Sequence, residues 1–215
     1  MPKNKQALLL LSGGIDSTTL LAQLSQDGYT VTALSFCYGQ KHRVELAFAR
    51  QNALTYRVER HEVVTLPPLL FSQSALVDPA KPIEVYPDQE VAPGPVSTYV
   101  PFRNLVFLSQ ALSWGQSLGV DAVFAAFNAD DHANFWDCRP LFIEQLNQLV
   151  AGNASIQVQT PFIHLTKQQV IKKAHQLGVD LSQTISCYQP TDKEECGSCL
   201  SCVTKRKALQ ALRLM

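Results

Sequence analysis

The chain lacks a long hydrophobic segment and an excess of charge of either sign. Its longest uninterrupted apolar run covers only residues 122–127, whereas a membrane-spanning helix needs about 20 apolar residues, and no signal-peptide pattern begins the sequence. Eighteen lysines and arginines balance eighteen aspartates and glutamates, so the strong basic field that attracts nucleic acids is not expected. These absences predict a cytoplasmic protein with no membrane or nucleic-acid partner.

Two common phosphate-binding motifs and a disulfide scaffold are also absent. No Gly-x-Gly-x-x-Gly and no Gly-x4-Gly-Lys segment occurs, which excludes the usual dinucleotide-binding and Walker loops on spacing alone. Six cysteines in 215 residues are too few for a fold built on disulfides. The length suits one or at most two domains with a sizeable core.

Strand patterns alternate with helical patterns along the chain. Apolar or β-branched runs predict strands at residues 7–11, 30–36, 56–64 and 122–127. Helical periods and end signals predict helices that include residues 20–24, 41–53, 103–118, 140–151, 166–176 and 203–214. Because the strands are nearly continuous apolar runs, this order predicts an α/β fold, a doubly wound parallel sheet with helices on both faces.

Residues 67–101 interrupt this alternation. They contain eight of the twelve prolines and no clear helical period, so we expect a long loop. Such a loop in a compact domain is either an active-site lid or binding loop, or a disordered insertion, and the sequence leaves both readings open.

The segment Ser12-Gly13-Gly14-Ile15-Asp16-Ser17 follows the first predicted strand and begins a helix. Free backbone N–H groups and the helix dipole make such a position an anion site. Glycines allow close approach of the backbone to a phosphate, and the Ser12, Ser17 and Thr18 hydroxyls add donors. A plain capped turn is the simpler alternative for a Gly-Gly pair alone, but the strand and helix on either side favour a phosphate-binding loop.

This segment resembles the PP-loop of the ATP pyrophosphatases, which cleave ATP between the α and β phosphates and transfer AMP to a substrate oxygen. The resemblance implies a Rossmann-like fold of the adenine nucleotide alpha hydrolase type, with adenine beside strand 30–36 and Mg²⁺ on the phosphates. Ser12, Asp16 and Ser17 are the implied catalytic residues of the loop. The implied ATP-binding residues are Leu10, Leu11, Ser12, Gly13, Gly14, Ile15, Asp16, Ser17, Thr18, Thr19 and Leu20.

Lys167 follows a predicted helix cap at Thr166. A lysine taken alone is usually a solvated surface residue. Its position resembles that of a late lysine that contacts the leaving pyrophosphate in related enzymes, so we add Lys167 to the expected catalytic residues.

Four of the six cysteines are clustered near the end of the chain, with the spacing Cys-x8-Cys-x2-Cys-x2-Cys. Cys187, Cys196, Cys199 and Cys202 offer four thiolates for one closed, structural site, with Zn²⁺ as the first choice and an iron–sulfur cluster as the alternative. We therefore expect a nucleotide-binding domain over residues 1–180 and a helical zinc-binding region over 181–215. Cys37 and Cys138 have no such partners and are expected to be small core residues.

Further segments narrow the resemblance. They are Tyr38-Gly39-Gln40-Lys41-His42 with Glu45, Tyr99-Val100-Pro101-Phe102-Arg103-Asn104, Asn128-Ala129-Asp130-Asp131 and Asp137-Cys138-Arg139-Pro140. Together with the cysteine quartet they are similar to the 7-cyano-7-deazaguanine synthases, which make preQ0 in queuosine biosynthesis, and the similarity runs over about residues 7–206.

This resemblance implies an ATP-dependent carbon–nitrogen ligase. Its small-molecule substrates would be 7-carboxy-7-deazaguanine, ammonia and ATP, and its product the 7-cyano compound. The reaction would pass through an adenylated carboxylate and an adenylated amide, with release of AMP and pyrophosphate. The resemblance leaves a homodimer open.

The expected substrate-binding residues are Arg103, Asn104, Asp131, Asp137 and Arg139. An arginine can bind a carboxylate or phosphate with two hydrogen bonds. Asp130, Asp131 and Asp137 suit the guanidine-like edge of a deazaguanine, Mg²⁺, or a cap for the helix after Pro140, and the sequence does not choose among these.

Three positions depart from the family pattern. Phe102 and Ala126 stand where glycine is usual, and Trp136 stands where proline is usual. We expect Phe102 and Trp136 to act as flat walls beside the substrate.

Two other functions remain as alternatives. One is a different PP-loop ligase that forms an amide or thiolates tRNA, and the other is a nucleotide-binding protein without catalysis. The intact Ser12 to Ser17 loop together with the cysteine quartet favours the ligase.

Overall fold

A computed structural model describes residues 5–86, 94–152, 155–192 and 194–214. The strands are β1 (Gln6–Leu10), β2 (Thr30–Cys37), β3 (Arg60–Thr65), β4 (Ala122–Phe124) and β5 (Val158–Gln159). The helices are α1 (Ile15–Gln26), α2 (Glu45–Thr55), α3 (Arg103–Leu118), α4 (Pro140–Ala151), α5 (Lys167–Gln176) and α6 (Leu200–Ala211). No helix among the described residues is long and apolar enough to span a membrane.

The five strands form one parallel sheet in the order β3-β2-β1-β4-β5. Side chains of β1 alternate between the two faces of the sheet. Leu8 packs into a core with α3 and α4, whereas Ala7 and Leu9 pack into a second core with α1, α2 and α5. Burial on both faces explains the unbroken apolar run in β1, and the predicted doubly wound parallel sheet is confirmed.

Several predicted boundaries differ from those of the folded chain. Helices α3 and α4 have the predicted limits, but β4 ends at Phe124 and α2 begins only at Glu45. The residues removed from these elements, 125–127 and 41–44, include several that line a cavity next to the sheet. Strand β5 was not predicted, because two residues carry no periodic pattern.

The described parts of the proline-rich segment, residues 67–86 and 94–101, pack against the protein. They include one short 3-10 helix, Pro68–Phe71. Phe71, Leu76, Ile83 and Val100 are buried in the same core as β1 and α3. Residues 87–93 of the predicted loop lie outside the described residues.

The strand order places a crevice above the centre of the sheet. From β1 the chain passes to β2 on one side, and it returns to β4 on the other side, so the connections diverge between β1 and β4. In parallel α/β sheets, ligands bind outside the carboxyl ends of the strands at this switch point.

Candidate functional site

A cavity of ≈ 270 Å³ opens at the carboxyl ends of the strands. Most of the predicted site residues line it. They are Leu10, Leu11, Ser12, Gly14, Asp16, Ser17, Arg103, Asn104, Asp131, Asp137 and Lys167. The remaining loop residues Gly13, Ile15, Thr18, Thr19 and Leu20 are buried behind this surface.

The loop after β1 has a shape that only glycine permits at Gly13. Its φ is +82°, and a Cβ there would lie 2.4 Å from the carbonyl oxygen of Glu45 and 2.6 Å from the amide nitrogen of Ala49. Helix α2 therefore packs directly on the loop backbone. Gly14 donates its N–H to Ser12 Oγ at 3.3 Å, and Ile15 donates to Ser186 Oγ at 3.5 Å. These amides begin α1, where an anionic group is stabilised.

Asp16 and Lys167 form an ion pair across the cavity. Lys167 Nζ donates to Asp16 Oδ2 at 2.6 Å, with side-chain exposures of 8% and 22%. Burial by itself lowers the pKa of Lys167, but the Asp16 and Asp131 carboxylates raise it above its ordinary value. Asp16 Oδ1 is buried and has no hydrogen-bond partner among the described residues. The site thus holds a permanent cation beside a carboxylate oxygen that is free to take a ligand.

Asp131 lies beside this pair, close to the negative charges of Asp16 and Asp130. Asn128 Nδ2 donates to Asp131 Oδ2 at 2.9 Å and to Asp16 Oδ2 at 3.4 Å. Burial raises the pKa of Asp131 to about 6, and the negative charges of Asp16 and Asp130 add to the shift against the opposing Lys167. A cation or a donor-rich ligand in the cavity would relieve this accumulation of charge.

The raised pKa of Asp131 predicts that an Asp131→Asn variant is more stable than the natural protein near neutral pH. Because the folded pKa of about 6 exceeds the ordinary 3.8, the native state binds more protons than the unfolded state between these values. The stability contribution of Asp131 is therefore present below about pH 4 and is lost as the pH rises through about 6. Above that pH the charged, half-buried carboxylate of Asp131 lowers the stability by at most about 3 kcal/mol.

Thermal unfolding measured from about pH 4 to about pH 8 tests this expectation. The variant should melt about 2–8 °C higher than the natural protein at neutral pH, and the two curves should converge at the acid end. Glu144→Gln, an equal change of charge at an exposed position on α4, should show neither effect. A stability difference that does not shrink toward acid pH would contradict the raised pKa of Asp131.

Arg103 and Asn104 form a second polar group at the start of α3. Arg103 Nη1 donates to Tyr38 Oη, and Arg103 Nε donates to Asn104 Oδ1, each at 3.3 Å. The Asn104 amide N–H donates to Asp137 Oδ2 at 3.3 Å. Burial raises the pKa of Asp137, while Arg103 opposes the shift. The structure therefore brings three of the predicted substrate residues into one hydrogen-bonded group beside the cavity.

Three other predicted positions lie elsewhere. Arg139 is exposed, donates to the carbonyl oxygen of His132 at 2.8 Å and does not line the cavity. Phe102 and Trp136, expected as flat walls, do not line it either. Each is partly exposed, and the two rings pack against each other. The aromatic rings that line the cavity are those of Phe36, Tyr38, Tyr99, Phe107, Phe127, Phe135 and Tyr188.

Some lining residues had no predicted role. Glu45 accepts a hydrogen bond from Gln40 Nε2 at 2.9 Å and lies 3.4 Å from His42 Nε2. Ser186 and Tyr188 flank Cys187 in sequence and line the cavity. Their position on either side of one of the four clustered cysteines was the one signal that could have identified them.

The four clustered cysteines converge beside the cavity. Their Sγ atoms all lie within 4.8 Å of one another. Backbone amides point at the sulfurs, since Cys196 N donates to Cys187 Sγ at 3.2 Å and Cys199 N donates to Cys196 Sγ at 3.4 Å. Four cysteines in such a cluster can hold a metal ion.

Comparison with known proteins identifies relatives over nearly the whole chain. Residues 6–213 match the sequence profile of the family described as queuosine biosynthesis protein QueC. A protein named 7-cyano-7-deazaguanine synthase from Nitrosospira multiformis is 41% identical over 214 residues, which is 96% of this chain and 91% of the relative. Proteins of the same name from Saccharophagus degradans and Rickettsia bellii are 40% and 38% identical, over 96% of this chain and 94% of each relative.

Among solved structures, NMN synthetase from Francisella tularensis is similar to this chain. The alignment has a TM-score of 0.53 and 16% sequence identity, and it covers 99% of this chain and 78% of that protein. This likeness supports the fold alone.

Proposed function

The chain belongs to the queuosine biosynthesis protein QueC family, and from this membership we propose that it is an ATP-dependent ligase that makes 7-cyano-7-deazaguanine. Its substrates are 7-carboxy-7-deazaguanine, ammonia and ATP. The observation that carries the proposal is the Asp16–Lys167 pair beside the glycine loop, in a cavity that also contains the Arg103 group. The cavity thus combines groups suited to a pyrophosphate with groups suited to a planar acid.

The first step forms an acyl adenylate. A free carboxylate resists ammonia because its leaving group would be oxide, and transfer of AMP supplies a better one. A carboxylate oxygen attacks the α phosphorus of ATP, and the bond to the β phosphate oxygen breaks. The N–H groups at the start of α1, the Ser12 and Ser17 hydroxyls and Lys167 Nζ stabilise the charge that develops on pyrophosphate.

Ammonia then displaces AMP to form the amide. In a second cycle the amide oxygen attacks another ATP and releases a second pyrophosphate. Elimination of AMP, with loss of both amide protons, leaves the carbon–nitrogen triple bond. One nucleotide site serves both cycles, so the reaction consumes two ATP per nitrile.

We assign the acid to the side of the cavity formed by Arg103, Asn104, Asp131 and Asp137. Arg103 meets the carboxylate, because a guanidinium can donate two parallel hydrogen bonds to it. The Asp131 and Asp137 carboxylates accept from the donor-rich pyrimidine edge. Arg139 remains a predicted substrate residue that would have to reach the site from its exposed position.

Two metals fit the residues present. Asp16 Oδ1, buried without a partner among the described residues, suits Mg²⁺, which when bound would neutralise charge on the phosphates. The cysteine quartet suits Zn²⁺, because a zinc–sulfur distance of about 2.3 Å requires sulfurs about 3.8 Å apart, and Cys196 and Cys202 are 4.0 Å apart. We propose a structural zinc in region 181–215 and nucleotide binding by region 1–180.

The protein is proposed to act in the cytoplasm on small molecules, without nucleic-acid or membrane partners.

Product analysis tests the proposed function. The purified protein with 7-carboxy-7-deazaguanine, ammonium and Mg·ATP should give the nitrile by mass spectrometry, with two AMP and two pyrophosphate per nitrile. ADP and phosphate would contradict cleavage at the loop. An amide that persists at long times with ample ATP would favour a simpler amide-forming ligase.

A further inference from the structure

Two aromatic side chains join separate segments outside the cavity. Phe102 directly precedes Arg103, and Trp136 directly precedes Asp137. Their ring centroids are 5.6 Å apart with planes at 77°, an edge-to-face contact. Trp136 continues onto Phe142 of α4, with centroids 5.2 Å apart. The same two segments also meet on the cavity side, through the hydrogen bond from Asn104 to Asp137.

Tyr99 connects this aromatic pair to the cavity. Its hydroxyl oxygen accepts a hydrogen bond from Trp136 Nε1 at 2.6 Å and another from the Phe102 amide at 3.4 Å. Tyr99 itself lines the cavity, whereas Phe102 and Trp136 do not. Two donors outside the cavity thus hold one end of a side chain that forms part of the cavity wall.

The backbone of Phe102 is strained, and these contacts offset the conformational energy of that strain. Its φ is +54°, in the left-handed region that a bulky side chain rarely adopts. Phe102 and Trp136 also leave 55% and 39% of their surface exposed. A strained backbone persists only where surrounding contacts stabilise it. For Phe102 these contacts are with the Trp136 ring and the Tyr99 hydroxyl.

We propose that Phe102 and Trp136 form an aromatic clasp that positions Tyr99 and the Arg103–Asp137 group, and thereby sets the affinity of this protein for its planar acid. The clasp residues are positioning residues, because neither lines the cavity. The inference rests on the proposed function. The clasp reaches the cavity wall through Tyr99.

A Trp136→Phe variant tests the hydrogen bond while it keeps an aromatic ring. Loss of that bond should raise the KM and the Kd for 7-carboxy-7-deazaguanine about three- to tenfold, with less than a twofold change in kcat and in the KM for ATP. Trp114→Phe is the matched control, since Trp114 is the other of the two tryptophans. It lies on α3, stacks with Arg60 and is outside the cavity lining.

A double-mutant cycle that combines Trp136→Phe with Tyr99→Phe tests whether Trp136 affects acid binding through Tyr99. Tyr99→Phe alone should raise the acid KM to a similar extent, and Trp136→Phe should add little in that background. Phe102→Gly is a variant that relieves the left-handed backbone, since glycine adopts that φ without strain. It should therefore fold and still raise the acid KM.

A merely structural role of the clasp predicts a different set of results. It would lower the unfolding temperature and leave the acid KM and Kd unchanged, which would overturn the proposal. Additive effects of Trp136→Phe and Tyr99→Phe would also overturn it. Calorimetric titration of the acid without ATP reports its Kd even if no nitrile forms. If no nitrile forms but the Trp136→Phe variant binds the acid more weakly than the natural protein, the result supports the clasp. If the acid binds neither the natural protein nor the variant, the result contradicts both the clasp and the proposed substrate.

Discussion

A Lys167→Met variant is expected to lose about a hundredfold to a thousandfold in kcat, the usual effect of removing one preorganised charge from a reacting anion. Lys167 Nζ lies 2.6 Å from Asp16 at the glycine loop and is shielded from water. No other lysine among the described residues lines the cavity, and Arg103, which does line it, is hydrogen-bonded to Tyr38 and Asn104, so no second lysine replaces the charge at the glycine loop. Release of pyrophosphate, measured with saturating acid and ammonium, reads out the loss.

The same variant leaves the Asp16 carboxylate without its cation. Removal of one partner from a buried pair costs about 3–5 kcal/mol, and the 22% exposure of Asp16 places the expected cost at the lower end. Asp16→Asn combined with Lys167→Met removes both charges, so stability should return in part while activity does not. This combination separates catalysis from folding.

Lys172→Met is the matched control, because Lys172 is exposed on the same helix, α5. It should behave as the natural protein. Substantial turnover in Lys167→Met, or equal losses in the two lysine variants, would contradict a role of Lys167 at the departing pyrophosphate.

Replacement of Cys199 by serine is expected to release the metal and unfold the end of the chain. Structural zinc contributes about 10–16 kcal/mol in small peptides, which is comparable to the whole stability of a domain, about 5–15 kcal/mol. Cys187, Cys199 and Cys202 are buried in the same core as β1 and α3, so the damage should reach that core. Activity should be lost as well, because Ser186, Tyr188 and Ser201 adjoin these cysteines and line the cavity.

Elemental analysis and thermal unfolding measure both effects. The natural protein should hold one zinc per chain, and Cys199→Ser should hold none and melt at a lower temperature. Cys37→Ser alters a half-buried cysteine outside the cluster and should keep the metal. Iron with a visible absorption band would replace zinc as the metal, and full metal content in Cys199→Ser would refute the four-cysteine site.

Local sequence patterns determined most of the architecture. The apolar run of β1 required burial on both faces, which implied a parallel sheet with helices on each side, and the fold confirms this. Thr166 and Gln169 form the predicted capping box, with hydrogen bonds of 3.3 and 2.8 Å. The spacing of the four cysteines likewise led to a cluster that the structure contains. The capping box and the cysteine cluster could be predicted because their members lie close along the chain. The burial of β1 could be predicted because its apolar run is itself a local pattern.

Strand β5 shows why some elements could not be predicted from the sequence. It has only two residues. On the edge away from β4, its backbone groups are hydrogen-bonded by a side chain instead of by another strand. Asn147 Nδ2 donates to the carbonyl oxygen of Val158 at 2.9 Å, and the Val158 amide donates to Asn147 Oδ1 at 2.8 Å. Such pairing depends on where α4 packs, which no local period encodes.

The tertiary structure alone decided which candidate residues share the site. It paired Asp16 with Lys167, which are 151 positions apart, and it gathered Arg103, Asn104 and Asp137 into one group. It also placed Arg139, Phe102 and Trp136 outside the cavity lining, although each is adjacent in sequence to a residue near the site. Neighbouring residues in a loop or at a helix start point in different directions, and only the packing of the surrounding helices settles which of them faces the crevice between β1 and β4.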